Sequence, residues 1–230
     1  MERLKDLISK DEKILYHSFH HELPLFQLNS LSYGYDDKIL MKDLNASLYA
    51  NYKYAVVGDN GCGKSTLIKI LSGLNRSYMG EVLYRGCDIK NLNDFELFSI
   101  VEYLPQEDPI IDLTPKSLYM MICEGDDITL NEILSTASIL GLDKNILNEQ
   151  NISELSGGQR KKVFLSVALC SKREVLILDE PTNTLDLDSQ KRLLSMIKNS
   201  NKSIIMITHN REFMNCCDFV LNVSKGGVIV

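Results

Sequence analysis

The chain has 230 residues, 44% of them hydrophobic and 24% charged, enough for one large domain or a core with a small subdomain. Its net charge of −6 and lack of a Lys/Arg-rich run argue against a nucleic-acid partner, because phosphate-backbone binding rests on clustered cations. No stretch approaches the roughly 18–20 apolar residues of a membrane helix, and residues 1–13, which mix charges with Leu and Ile, lack the apolar core of a secretory signal. The chain is therefore not expected to cross a membrane by itself. Its six cysteines, at 62, 87, 123, 170, 216 and 217, fit no zinc spacing and are expected to be free thiols.

Along the chain, Leu4, Leu7 and Ile8 predict a short amphipathic helix at 3–9, or the end of a linker. Strand-like runs follow at 25–31 and 46–50. The apolar run 54–57 ends at Gly58 and is followed by a helical segment from Lys64 to Leu71, stopped at Gly73. Residues 81–84 and 100–104 read as further strands, the second ending at Pro105. From Pro115 the pattern changes to Leu, Ile and Met at three-to-four spacing, which predicts an inserted helical subdomain over 115–172. Strand character then resumes at 175–178 and 204–208, with a helix at 189–198 between them. Both runs are continuously apolar, as in parallel strands covered on both faces. Closing strands are expected at 219–223 and 228–230. The pattern describes an α/β core with a helical insertion.

Gly58, Asp59, Asn60, Gly61, Cys62, Gly63, Lys64 and Ser65, with Thr66 next, match the phosphate-loop pattern G-x-x-x-x-G-K-[ST]. The glycines let backbone N–H groups turn toward phosphate oxygens, and the following helix directs its positive end at the same anion. Lys64 is expected to reach the terminal phosphates and the Ser65 hydroxyl to ligate Mg²⁺. A glycine-rich turn can match so short a pattern by chance, but the flanking strand and helix favour the phosphate loop. Cys62, inside the loop, would make such a site sensitive to thiol reagents.

A second cluster follows the apolar run 175–178, where Asp179 and Glu180 end the strand. Ligands of open α/β sheets bind at the carboxyl edge, so Asp179 is expected to serve Mg²⁺ and Glu180 to polarise an attacking water. Two soluble acids at a strand end would be the plainer reading if no phosphate loop were present.

Leu155, Ser156, Gly157, Gly158 and Gln159 narrow the choice. This segment resembles the signature motif of ABC (ATP-binding cassette) proteins, and other landmarks of that family stand in the family order. Tyr35 resembles the aromatic that stacks on adenine, with Tyr33 a near competitor. Gln106 resembles the glutamine that reaches Mg²⁺ and the attacking water, Asp186 resembles part of the loop that contacts the partner subunit, and His209 resembles the switch histidine. The resemblance implies a P-loop (RecA-like) α/β core with an antiparallel β subdomain, spanning 25–230 after a lead at 1–24. It implies ATP and Mg²⁺ as cofactors and a second ABC domain as partner, covering each ATP with its Ser156 turn. It also implies a transmembrane domain outside this chain, and a location at the cytoplasmic face of a membrane.

Residues 86–92, leading to Gln106, and the lead at 2–7 resemble the exporter type, whose cargo would be a peptide, lipid or drug-like molecule. Residues 148–154 match the corresponding exporter stretch poorly. The alternatives are a stand-alone soluble ABC ATPase, of the iron–sulfur assembly or translation-factor kind, and an interaction module without turnover.

Overall fold

The computed structural model describes residues 23–35, 38–125, 128–224 and 227–229; the helix expected at 3–9 and the lead up to residue 22 lie outside them. Two sheets carry the architecture. In the antiparallel one, β1 (Phe26–Tyr35) lies between β2 (Lys38–Leu48) and β4 (Met79–Tyr84), with the short β5 (Cys87–Asp88) outside β4. The larger sheet has the order β10 (Gly227–Ile229), β9 (Phe219–Ser224), β3 (Lys53–Val57), β8 (Ser203–Ile207), β7 (Val175–Asp179), β6 (Val101–Leu104). All neighbours in it are parallel except β10 against β9.

Side-chain alternation along the parallel strands builds two cores. Val175, Ile177, Ile205 and Ile207 face one side, where they join Leu67, Ile68 and Leu71 of α1 (Lys64–Leu71) and Phe26, Leu28, Leu48 and Val82 of the antiparallel sheet. Helix α1 is thus held between the two sheets. Leu176, Leu178, Ile204 and Met206 face the other side, against Leu193 and Ile197 of α7 (Leu187–Lys198) and Phe213 of α8 (Arg211–Met214). Strands covered on both faces account for the unbroken apolar runs in the sequence.

The insertion comprises α3 (Pro115–Gly125), α4 (Leu130–Ile139), α5 (Ile146–Glu149) and α6 (Gly157–Cys170), with a cluster of its own around Tyr119, Ile133, Ala137 and Ile152. Helix α6 belongs to both halves. Its Val163 joins the helical cluster, while Leu165 and Ala168 pack on the parallel sheet. A helix buried on two sides loses the single apolar stripe of a surface helix.

Several elements differ from the sequence reading, among them the unexpected helix α8 and short strand β5, and two differences are informative. Strand β2 begins at Lys38, well before the run read at 46–50, which itself ends in a turn after Leu48. The buried residues of β2 are Met41, Leu44 and Leu48, spaced by three and four. That helix-like spacing arises because the β1–β2 register shifts between Leu28 and Leu31 and again near Tyr33, with Asp43 at φ 54°. Helix α2 (Asp94–Ile100) was not expected at all; it buries only Leu97, and its local signal is the Asn93–Glu96 capping box.

Candidate functional site

Strand register brings the candidate residues to one edge. Val56 of β3 pairs with Ile207 of β8, Ile207 pairs with Asp179 of β7, and Leu178 pairs with Leu104 of β6. The residues that follow, Gly58, Glu180, His209 and Gln106, therefore all leave the sheet on its carboxyl side. There they border a cavity of about 770 Å³ lined by Tyr35, Asn60, Gly61, Gly63, Lys64, Ser65, Thr66, Gln106, Asp179, Glu180 and His209. A second hollow of about 800 Å³ lies at the amino edge, where Lys172 pairs with Glu132 and Lys202 donates to the Leu169 and Ser171 carbonyls. Its charges are satisfied within the chain.

The glycine loop is shaped by close approaches. Gly63 caps α1 at φ 104°, and a Cβ there would lie 2.9 Å from the Tyr33 ring. Gly58, at φ 150°, would place a Cβ 2.4 Å from the Val223 carbonyl oxygen. No side chain fits at either point without moving backbone or ring. The Lys64 ammonium is buried in the loop mouth and donates to the carbonyls of Gly58, at 2.8 Å, and Asp59, at 3.0 Å. Gly58, Asp59 and Cys62 do not line the cavity. The Cys62 side chain is only 8% exposed and belongs to the apolar cluster behind the loop, so a thiol reagent must open the loop to reach it.

Tyr33 and Tyr35 have different surroundings. Tyr33 is buried with its hydroxyl on the Gly63 carbonyl, and burial pushes its pKa far up. Tyr35 is 55% exposed, borders the cavity, and shares a 2.9 Å hydrogen bond with the Thr66 hydroxyl.

The acidic pair is held in two different ways. Asp179 is 4% exposed, and its Oδ1 is buried without a hydrogen-bond partner. Burial raises its pKa, while the Ser65 hydroxyl, hydrogen-bonded to it, and nearby lysines pull the other way. An orphaned carboxylate oxygen beside a hydroxyl is an oxygen donor set of the kind a hard divalent cation takes. Among the described residues no group of three or more His, Cys, Asp or Glu is placed to hold a metal. Glu180 has a left-handed backbone, φ 49°, fixed by its N–H on the Ile207 carbonyl at 3.0 Å. Such a conformation costs about 1–3 kcal/mol and turns the side chain off the strand line. Its carboxylate lies 3.3 Å from His209 Nε2, and burial raises its pKa against the opposing pull of that histidine.

The Ser156 turn stands outside the cavity. Ser156 caps α6, accepting from the Gln159 N–H at 3.3 Å, and the Gln159 side chain accepts from the Ser156 N–H at 2.9 Å. Leu155 anchors the turn in the helical cluster. Gly157 and Gly158 pack against Thr184, and a Cβ on Gly158 would meet the Thr184 carbonyl oxygen at 2.7 Å. Asp186 has both carboxylate oxygens engaged within the chain. Oδ1 accepts from the Ser189 N–H at 2.8 Å, and Oδ2 accepts from Lys162 at 2.9 Å and from the Ser189 hydroxyl at 2.8 Å. These contacts hold its pKa far below the usual carboxylate range. The cavity also takes in Lys38, Leu40, Asn183 and Ile207, which motif reading missed. Only Asn183, four residues past the strand end at Asp179 and inside the Pro-Thr-Asn run, had a signal to find it by.

A glycine loop opening a helix between two sheets, facing an acidic strand end across one cavity, defines a P-loop nucleoside triphosphatase. The family model described as ABC transporter matches residues 41–183, more than half of the chain. The chain belongs to that family, as its ATP-binding, ATP-hydrolysing cassette. It is 33% identical over 213 residues to the energy-coupling factor transporter ATP-binding protein EcfA1 of Thermotoga maritima, covering 87% of this chain and 79% of that protein. It is 28% identical over 213 residues to the microcin-J25 export ATP-binding/permease protein McjD of Escherichia coli, covering 88% of this chain. The match spans only 36% of McjD. In fold it is similar to the ATP-binding cassette MJ0796, solved as a dimer bound to ADP and Pi. That likeness has a TM-score of 0.77 at 21% identity, and it covers 89% of this chain and 97% of that one.

Because the Gly158 Cα faces a backbone oxygen rather than a flexible side chain, Gly158→Ala is expected to shift the turn. We expect ATP turnover about tenfold or more below the parent, in line with the cost of an ångström-scale misplacement, with ATP affinity changed by no more than about twofold. Steady-state kinetics beside equilibrium nucleotide binding checks this; unchanged turnover would show that the turn tolerates the shift.

Proposed function

We propose that this cassette powers transport across a membrane, most consistently export, by binding and hydrolysing ATP between two copies of the domain. The observation that carries the reading is the division of the machinery. Asn60, Gly61 and Gly63 to Thr66 of the loop, with Asp179, Glu180 and His209, line one cavity, whereas the Ser156 turn and its helix N-terminus lie outside that lining. A helix N-terminus with two glycines and a serine suits a phosphate, and here it suits one held by a second copy. Relatives named for export of microcin-J25 and of a macrolide support the direction of transport, and the solved MJ0796 dimer supports the pairing. Among the described residues no helix is long and apolar enough to cross a membrane; in this reading the crossing is made by a transmembrane domain outside this chain, on a partner or on a further segment of the same protein. The cassette would then sit on the cytoplasmic face, with a peptide, lipid or drug-like cargo.

In this reading Lys64 and the loop N–H groups hold the phosphates, and Tyr35 stacks on the base. Ser65, Asp179 and Gln106 would hold Mg²⁺, which supplies charge neutralisation at the phosphates when bound. Glu180, turned off the strand and raised in pKa by burial, accepts a proton from the attacking water. His209, whose Nε2 lies beside the Glu180 carboxylate, would turn its N–H to the terminal phosphate when nucleotide is bound. Asp186, engaged with Lys162 and Ser189, shapes the loop that the second copy touches.

Two measurements test this. Glu180→Gln keeps the shape of the site and removes the base, so at saturating ATP it is expected to dimerise by light scattering while its turnover falls by about a hundredfold or more, within the range for general-base removal. A variant that hydrolyses ATP at the parent rate contradicts the role of Glu180; one that stays monomeric contradicts the pairing. In cells that express the chain with its native partners, it is expected in the membrane fraction and released by detergent. Recovery entirely in the soluble fraction would contradict the transporter reading.

A further inference from the structure

Lys161 is a buried cation that does not line the nucleotide cavity, although its charge is felt at Asp179. Its side chain is 1% exposed, in the second turn of α6. Lysine is almost never buried so fully unless paired. The ammonium meets three oxygens, the Pro105 carbonyl at 3.2 Å, the Gln106 carbonyl at 3.0 Å and Asp108 Oδ1 at 2.8 Å. All three belong to the loop that leaves β6 at the cavity edge. That loop has no helix or strand between residues 105 and 114 to fix it. The Gln106 side chain is exposed and borders the cavity, so the backbone it hangs from is what sets its position. The far end of the same loop is tied nearby. The Ser153 N–H donates to the Ile111 carbonyl at 3.0 Å and the Ile152 N–H to the Leu113 carbonyl at 2.9 Å, just before the Ser156 turn. Lys162, next in sequence, points away to Asp186 and does not touch the loop.

We infer that Lys161 is a positioning residue for ATP turnover, whose ammonium fastens the Gln106 loop to the helix that begins at the Ser156 turn. A cation that donates to two carbonyls and is ion-paired with a carboxylate holds a loop in one place more firmly than neutral contacts do. The Gln106 side of one site and the turn that serves the opposite site are thereby joined through α6, so a shift of either is carried to the other. The inference rests on the reading that Gln106 acts at the ATP cavity, and it adds the element that holds Gln106 there.

The test is a double-mutant cycle on the full chain with MgATP, using Gln106→Ala, Lys161→Met and the double variant. Turnover is divided by the number of sites that bind a fluorescent ATP analogue, so a merely unstable protein does not register as a slow one. Expected are kcat values about tenfold or more below the parent for each single variant, with KM for ATP within about threefold. The double variant should be no slower than the slower single, because both changes remove one function. If Gln106→Ala turns over normally, the role of Gln106 fails and the inference falls with it. If Gln106→Ala is slow while Lys161→Met is normal, or if the two losses multiply, the Gln106 reading stands and only the positioning claim is overturned. Should Lys161→Met not fold, Asp108→Asn takes its place. It keeps the lysine and weakens its hold, and the same three outcomes decide.

Discussion

The alignment of strand ends in the parallel sheet is the constraint on which the site depends. Hydrogen-bonded pairing of Val56 with Ile207, of Ile207 with Asp179 and of Leu178 with Leu104 fixes where four chain segments leave the sheet. A slip of one residue in any pairing would turn the alternation of that strand inside out, exchanging the Val175–Ile177 face for the Leu176–Leu178 face. Since both faces are covered, by α1 on one side and by α6, α7 and α8 on the other, the packing resists such a slip. The same packing that keeps the core dry therefore holds Lys64, Gln106, Glu180 and His209 around one cavity.

Local geometry then refines what the register delivers. Gly58 and Gly63 let the loop pass within contact distance of β9 and of Tyr33, positions where any side chain would collide. Glu180 carries a strained left-handed backbone that an Ile207 hydrogen bond maintains, and the strain aims its carboxylate at His209. Strain of this kind persists only where the surroundings over-determine it. Helix α6 ties this edge to the inserted helices, through apolar contacts on two sides and through two buried lysines at its start, Lys161 toward the Gln106 loop and Lys162 toward Asp186.

Much of this was legible in the sequence, for identifiable reasons. Runs such as 175–178 and 204–208 have no polar break because parallel strands see no solvent, and the glycine loop and the Ser156 turn use residue types few other structures require. Strand β2 was not legible along its length, because register shifts spaced Met41, Leu44 and Leu48 like a helix face. Helix α2 escaped because it buries one residue. In the site, motif order picked out residues from Tyr35 to His209 that line the cavity but missed Lys38, Leu40, Asn183 and Ile207, could not separate Tyr33 from Tyr35 by environment, and did not foresee that the thiol of Cys62 faces the core. Nor could it show that Asp186 spends both oxygens on its own chain, or that Lys161 is buried. Those facts depend on which elements pack together, and a charged residue in a helix reads as a solvated face until the fold covers it.

The central claim is that the loop before α1 grips a nucleoside triphosphate tail through Lys64. Equilibrium binding of ATP to the Lys64→Ala protein tests it most directly, with thermal unfolding recorded beside it to show that the variant is folded. Loss of charge-assisted hydrogen bonds to phosphate, worth about 3 kcal/mol together, is expected to weaken binding by about a hundredfold. A folded Lys64→Ala protein that binds ATP as tightly as the parent would contradict the account.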